Sequence, residues 1–146
     1  MYKQDLSRFV KAQEQDYAIA LAEIKSGRKR SHWMWYIFPQ ITGLGFSETS
    51  KFYAIRDQAE AEAYVAHPVL GRRLIEICNA LLMLDDDHAT RILGSPDDLK
   101  LKSSMTLFAV LPEAHPVFER VLTKYFNGMK DWETLRLLNP MFNSRP

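Results

Sequence analysis

A seven-residue apolar segment constrains the fold more than any other feature of this chain. Residues 32–38 read H-W-M-W-Y-I-F and are followed by Pro39, which ends a helix because the residue before a proline avoids the α region. Ser31 is the predicted cap at the start of this helix. A helix that is apolar on nearly every side is usually buried on every side. We therefore expect residues 32–38 to form a short central helix with the rest of the chain packed around it.

The remaining sequence shows helical apolar periods that are separated by glycine, proline and capping residues. Further helices are predicted at about residues 5–26, 50–55, 57–66, 69–84, 88–93, 96–110, 116–126 and 131–138. Asp5 is the predicted N-cap of the first helix, and Gly27 its end. Because no segment alternates with a period of two, little or no sheet is expected. The predicted fold class is all-α, with about seven to nine helices around the central aromatic helix.

The length of the chain predicts a single domain. Its 146 residues are 47% hydrophobic, which is enough to bury a sizeable core. The domain is assigned to residues 1–146, with an ordered core at about residues 5–139, and residues 140–146 are expected to fray.

Composition argues against several classes of function. The formal net charge is +1, so the chain lacks the broad positive field that grips nucleic acid or an anionic membrane, and neither partner is expected. Cys78 is the single cysteine and the four histidines lie far apart, so no metal site and no cofactor are predicted. A signal peptide and a membrane-spanning run are both absent, which predicts a soluble, cytoplasmic protein.

The basic turn at residues 28–30 is the strongest candidate for an anion site. Arg28, Lys29 and Arg30 precede the predicted N-terminus of the central helix, where unpaired amides and the helix dipole attract phosphate or carboxylate. The alternative is a solvated turn whose cations pair with nearby acids. The sequence leaves both interpretations open.

His32 is the candidate acid or base beside this turn. At helical spacing it shares a face with Trp35 and Tyr36, whose rings could form a stacking floor. Asp98, on another predicted helix, is the candidate to orient the imidazole. The alternative is a buried histidine that bonds a backbone carbonyl.

A polar strip on the helix at residues 96–110 is the second candidate ligand surface. Thr106 lies four residues after Lys102 and three after Ser103, with Lys100 nearby. They could hold ligand oxygens, or the hydroxyls could simply bond carbonyls of the preceding turn.

Several motifs resemble those of an uncharacterised family of small, mostly bacterial, all-α proteins. The matching segments are residues 27–40 (G-R-K-R-S-H-W-M-W-Y-I-F-P-Q) with 43–45 (G-L-G), 67–71 (H-P-V-L-G), 98–108 (D-L-K-L-K-S-S-M-T-L-F) and 125–128 (Y-F-N-G). The resemblance spans nearly the whole chain and implies a helical fold with no assigned activity. Some members carry a calpastatin-like label, but calpastatin-type inhibitors are disordered chains, whereas this composition requires a packed core.

The motif segments hold more polar residues than packing alone requires. These are His32, Gln40, Ser50, Tyr53, His67, Asp98, Lys100, Ser103, Ser104 and Thr106. Polar groups in an apolar setting need partners, and a ligand is one candidate.

The leading hypothesis is that the protein binds a small anionic ligand, such as a nucleotide or a phosphorylated metabolite, between residues 28–32 and residues 100–106. The anion is assigned to the basic turn, stacking to Trp35 and Tyr36, and proton transfer to His32 with Asp98. Whether the ligand is chemically transformed stays open. The alternative hypothesis is a non-catalytic module that docks a protein partner.

Overall fold

Nine α-helices form in residues 4–139, the part of the chain that the computed structural model describes. They are α1 (Ser7–Lys25), α2 (Met34–Ile37), α3 (Glu48–Tyr53), α4 (Gln58–Ala66), α5 (Leu70–Met83), α6 (Ala89–Leu93), α7 (Asp97–Ala109), α8 (Pro116–Phe126) and α9 (Trp132–Leu138). The only β pairing in this range is an isolated bridge between Ile41 and Ile55. The all-α prediction is confirmed. The fraying predicted for residues 140–146 lies outside the described residues.

The core is built around α5, α7 and α8. α7 packs on α8 and α8 on α5, while α1 and α4 cover other faces of α5, and α9 lies against α7. A row of aromatic rings crosses this core from Phe9 through Tyr64 and Phe108 to Phe118, with centroid distances of 5.1, 5.6 and 5.5 Å. Buried hydrophobic side chains of α1, α4, α5, α7 and α8 join one connected cluster, and the partly buried Leu137 and Leu138 of α9 pack against it.

The aromatic segment lies inside the fold, as predicted, but only four of its residues are helical. Trp33, Met34, Ile37 and Phe38 are buried, and α2 contacts both α1 and α3. The prediction that Ser31 caps this helix is wrong. α2 begins at Met34, after Trp33, with no side-chain cap, because the Ser31 hydroxyl instead donates to the carboxylate of Glu23 on α1.

Most other helix ends follow the sequence signals. Ser47, Asp57, His115 and Asp131 each accept a backbone N–H at the start of a helix. Asp5 was predicted to be the N-cap of α1; its carboxylate accepts the Ser7 N–H at 3.0 Å, but the residue at the cap position is Leu6. No helix in residues 4–139 is long and apolar enough to cross a membrane.

Gly71 allows α4 and α5 to approach each other closely. It is the second residue of α5, and a Cβ atom placed there would lie 1.9 Å from the carbonyl oxygen of Val65 on α4. That oxygen belongs to the backbone, so it cannot move without shifting the helix. The crossing of these helices therefore depends on the missing side chain.

We predict that Gly71→Ala destabilises the fold, although alanine in a helix normally adds up to about 1 kcal/mol over glycine. Overlap with the Val65 carbonyl should reverse that sign and lower the free energy of unfolding by about 2 kcal/mol. Urea denaturation of the variant measures the change. The control is Arg72→Ala at the exposed neighbouring position, expected within about 0.5 kcal/mol of wild type, and a stabilised Gly71→Ala would contradict the prediction.

Candidate functional site

The predicted anion site at the basic turn is already occupied by a carboxylate of the chain itself. Oε1 of Glu23 accepts the backbone N–H groups of Arg30 and Ser31 at 2.8 and 3.0 Å and the indole N–H of Trp33 at 2.9 Å. Oε2 accepts the Ser31 hydroxyl at 2.6 Å. The turn thus gathers several hydrogen-bond donors, and all four of these donors serve an internal carboxylate.

The three cations of the turn do not act together. Lys29 is nearly buried: its Nζ lies 2.9 Å from Oδ2 of Asp97, donates to the Ser31 carbonyl at 2.6 Å and sits 5.1 Å from the centre of the Trp33 ring. Arg28 and Arg30 are exposed. Lys29 thus fastens the turn to α7, and only the two arginines face solvent.

The predicted pairing of His32 with Asp98 is absent from the described residues. His32 is exposed and precedes α2, so it does not share a helix face with Trp35 and Tyr36. Asp98 instead accepts the Thr90 hydroxyl at 2.5 Å and the N–H of Leu99 at 2.9 Å. No hydrogen bond or ion pair joins the two residues within the part of the chain that is described.

Tyr36 lies inward, where it offers no stacking surface. It is 8% exposed, and its hydroxyl donates to Oδ2 of Asp16 on α1. Burial raises the pKa of Tyr36, and the hydrogen bond to the Asp16 carboxylate raises it further. Its role in this structure is to anchor α2 to α1.

The polar strip of α7 mainly holds α9. Ser103 and Thr106 are buried; the Ser103 hydroxyl lies 3.1 Å from Oδ2 of Asp131, and the Thr106 hydroxyl accepts the Asp131 N–H at 2.9 Å. The Thr106 hydroxyl also donates to the Lys102 carbonyl at 2.8 Å, as the alternative interpretation of this strip expected. Lys100 and Lys102 remain half-buried at the surface.

A cleft beside α2 brings together several of the motif residues that the turn does not use. It is formed by Trp35, by the loop at residues 40–45, and by α3 with Ala54, and its cavity volume is about 20 Å³. The lining residues are Trp35, Gln40, Ile41, Thr42, Gly43, Gly45, Ser50, Lys51, Tyr53 and Ala54. Three separate stretches of sequence therefore meet at one concave surface.

Polar groups in this cleft are left without partners inside the described chain. The Gln40 amide, the Thr42 hydroxyl and the Tyr53 hydroxyl make no hydrogen bond with another described residue, and Lys51 makes no ion pair there. Lys51 is the one charged residue of the lining, and it is exposed. The cleft is therefore a set of free donors around one positive charge.

The glycines of the loop let its backbone form one wall. A Cβ at Gly45 would lie 2.5 Å from the Cβ of Ser50, so the loop can pack against α3 only without a side chain there. Gly43 has a φ of +103°, which side chains disfavour, and a Cβ there would meet Leu137 of α9 at 3.1 Å. The loop is thus wedged between α3 and α9.

Sequence reasoning identified part of this cleft. Gln40, Ser50 and Tyr53 stood out as polar residues within the motifs, and Trp35 was assigned to ligand stacking. Thr42 and Lys51 were missed, because one hydroxyl and one lysine among ordinary surface residues give no sequence signal. The pair of glycines at 43 and 45 is the signal that could have pointed to the loop.

The described residues contain one group with ligand types that suit a metal ion. Donor atoms of Asp86, Asp87 and His88 lie within 4.8 Å of one another. Nδ1 of His88 already contacts both carboxylates, at 3.0 and 3.1 Å, and Arg91 approaches Asp86 at 3.4 Å. These contacts describe a surface charge cluster. Cys78 is fully buried, and burial raises the pKa of its thiol, which leaves it unreactive.

The contacts of Glu23 predict a pH-dependent stability. Burial raises the pKa of Glu23, but the bonds from Ser31, Arg30 and Trp33 outweigh it and lower the pKa from 4.5 to about 2. Because the pKa is lower in the folded state, the stabilisation is full above about pH 4.5 and is lost as the pH falls towards 2.

Glu23→Gln should therefore lower the free energy of unfolding near neutral pH by about 2 kcal/mol, and the gap from wild type should close as the pH falls. Urea denaturation of both proteins at pH 7, 4 and 3 measures this. Glu14→Gln, at an exposed position of α1, is the matched control. A gap that does not change with pH would show that the charge of Glu23 does not stabilise the turn.

Both the fold and the sequence motifs of this chain are similar to those of known proteins. The crystal structure of the conserved hypothetical protein Rv1873 from Mycobacterium tuberculosis is similar to this chain, with 46% sequence identity and a TM-score of 0.89. The similarity covers 92% of this chain and 96% of that one. No curated protein matches the chain. The model of a family of proteins of unknown function, DUF1810, matches residues 3–138, which confirms the resemblance seen in the motifs. The chain therefore belongs to the DUF1810 family.

Proposed function

We propose that this protein binds a small anionic ligand in the cleft formed by Trp35, residues 40–45 and residues 50–54. The observation that carries the proposal is the composition of the cleft lining. It holds one cation, Lys51, and no carboxylate, together with free hydroxyl and amide groups. An anion that enters this cleft can form a charge-assisted hydrogen bond with Lys51, and no negatively charged side chain of the lining repels it.

The surroundings of Trp35 add to the positive character of this side. Nζ of Lys100, on α7, lies 5.1 Å from the centre of the Trp35 ring and 3.4 Å from Oδ1 of Asp97. Two residues assigned to ligand contact from the sequence, Trp35 and Lys100, thus stay beside the proposed site. The basic turn and the buried hydroxyls of α7 do not form part of it.

The lining favours binding without chemical transformation. It contains no histidine, cysteine or carboxylate that could act as a general base or nucleophile near neutral pH. Tyr53 and Lys51 are donors suited to orienting an anion. We therefore propose a binding protein whose ligand leaves unchanged.

A thermal-shift screen against inorganic phosphate, nucleotides and small carboxylates tests this proposal. A ligand specific for the folded state should raise the melting temperature with concentration, by mass action. Lys51→Gln should lower the affinity for that ligand about tenfold, since a charge-assisted hydrogen bond contributes about 1.5 kcal/mol or more.

The matched control is Lys25→Gln, which removes an exposed lysine at the end of α1, away from the cleft lining. It should bind the same ligand as tightly as wild type. Equal weakening in both variants would mean that only the overall charge matters, and would remove the cleft from the proposal.

A second candidate function, docking of a protein partner, is favoured by two exposed aromatic side chains beside the cleft. Phe46, which precedes α3, is 86% exposed, and Phe52, in the last turn of α3, is 59% exposed. Large exposed apolar side chains mark interaction surfaces when they cluster. Affinity capture with wild type and with a Phe46→Ser, Phe52→Ser double variant would show a partner that depends on this surface.

A further inference from the structure

Resting on the proposed function, we propose that the ligand carries two anionic groups joined by a short spacer. One group would lie in the cleft at Lys51, and the other in an adjoining groove at Arg56. The two depressions lie side by side on the surface. Thr42, Lys51 and Ala54 line both the cleft and the groove, so the two depressions adjoin, with Lys51 at the junction.

The groove is larger and more polar than the cleft. Its volume is about 440 Å³, and Arg8, Phe52 and Arg56 line it beyond the junction. A ligand whose first group fills the narrow cleft has space for a second group in this groove. The shape of the adjoining depressions therefore suits an elongated molecule.

Arg8 is committed to the structure of the groove. Its Nη2 lies 3.0 Å from Oε1 of Glu60 and donates to the Ala54 carbonyl at 2.9 Å, while its Nε donates to the Phe52 carbonyl at 2.8 Å. Glu60 is 1% exposed, so this pair neutralises a buried carboxylate. Arg8 therefore fixes the backbone that carries the junction and leaves the recognition of a ligand to other residues.

Arg56 is the cation of the groove that a ligand can reach. Its side chain is 65% exposed, and the nearest carboxylate oxygens, on Asp57 and Glu60, both lie at 3.8 Å. One donor, Nη2, bonds Oε1 of Gln4 at 2.6 Å. A guanidinium has five N–H groups, so donors remain for a second anion.

The cations of the groove lining outnumber its acids. Glu60 is buried against Arg8, and the Asp5 carboxylate, whose pKa is lowered by the Ser7 N–H, is the one exposed acid of the lining. Asp57, outside this lining, lies 3.8 Å from Arg56 and leaves that guanidinium exposed. Lys51 and Arg56 are thus two accessible cations on adjoining depressions. A molecule with two anionic groups engages both at once, so its second contact is intramolecular and strengthens the first.

Two matched pairs of probes test the inference by isothermal titration calorimetry: orthophosphate with pyrophosphate, and acetate with succinate. For at least one pair, the member with two anionic groups should bind wild type about tenfold more tightly than the other. Arg56→Gln should abolish that difference while leaving the single-anion probe unchanged. Lys51→Gln should lower the affinity for both members of that pair. The pair that shows the effect identifies phosphate or carboxylate chemistry.

Arg72→Gln, an exposed arginine on α5, is the charge control and should leave all affinities as in wild type. Arg56→Lys, which keeps the charge, should restore part of the gain even if Arg56→Gln lowers stability. Equal affinity of both members in each pair, or equal weakening of both by Arg56→Gln, would overturn the two-anion inference alone. Absence of binding by all four probes would overturn the proposed anion site with it.

Discussion

The central aromatic segment depends on polar side chains that α1 directs inward. Gln13, Asp16 and Glu23 lie on one face of α1 and each bonds this segment or the turn before it. The Gln13 amide donates to the Tyr36 carbonyl at 2.8 Å, Asp16 accepts the Tyr36 hydroxyl, and Glu23 accepts four donors from residues 30–33. Buried irregular backbone must find partners, and α1 supplies them over three turns. The segment is therefore held by hydrogen bonds as well as by packing.

The helices could be predicted because their signals are local. The apolar period of α5 and the end of α8 at Asn127–Gly128 need only neighbouring residues, and the structure follows them. The start of α2 could not be predicted in this way. Serine is a residue type that often caps helices, and Ser31 stands at the expected position. However, Glu23, eight residues earlier, offers the Ser31 hydroxyl a charged acceptor at 2.6 Å. A contact between two elements replaced a local preference.

Contacts between distant elements also explain why the donors predicted to bind a ligand already have partners inside the protein. Sequence can count donors near an anticipated helix end, but it cannot show which internal carboxylate already accepts them. Glu23 does so at the basic turn, and Asp131 does so for Ser103 on α7. Where the motif residues face no internal carboxylate, as at Gln40 and Tyr53, their polar groups remain free. Only the tertiary arrangement separates these two cases.

The cleft is rigid where it meets the core and adaptable where it meets solvent. Its floor includes Trp35, next to the anchored Tyr36, and Tyr53, whose ring centre lies 5.0 Å from that of Tyr36 and 6.1 Å from that of Phe9. Arg8 fixes the carbonyl groups on either side of Tyr53. A preformed floor lowers the entropy that binding would otherwise cost, while an exposed lysine at the rim can adjust to ligands of different size. The hydrogen bonds that α1 makes to the central segment thus also hold the floor of this cleft in place.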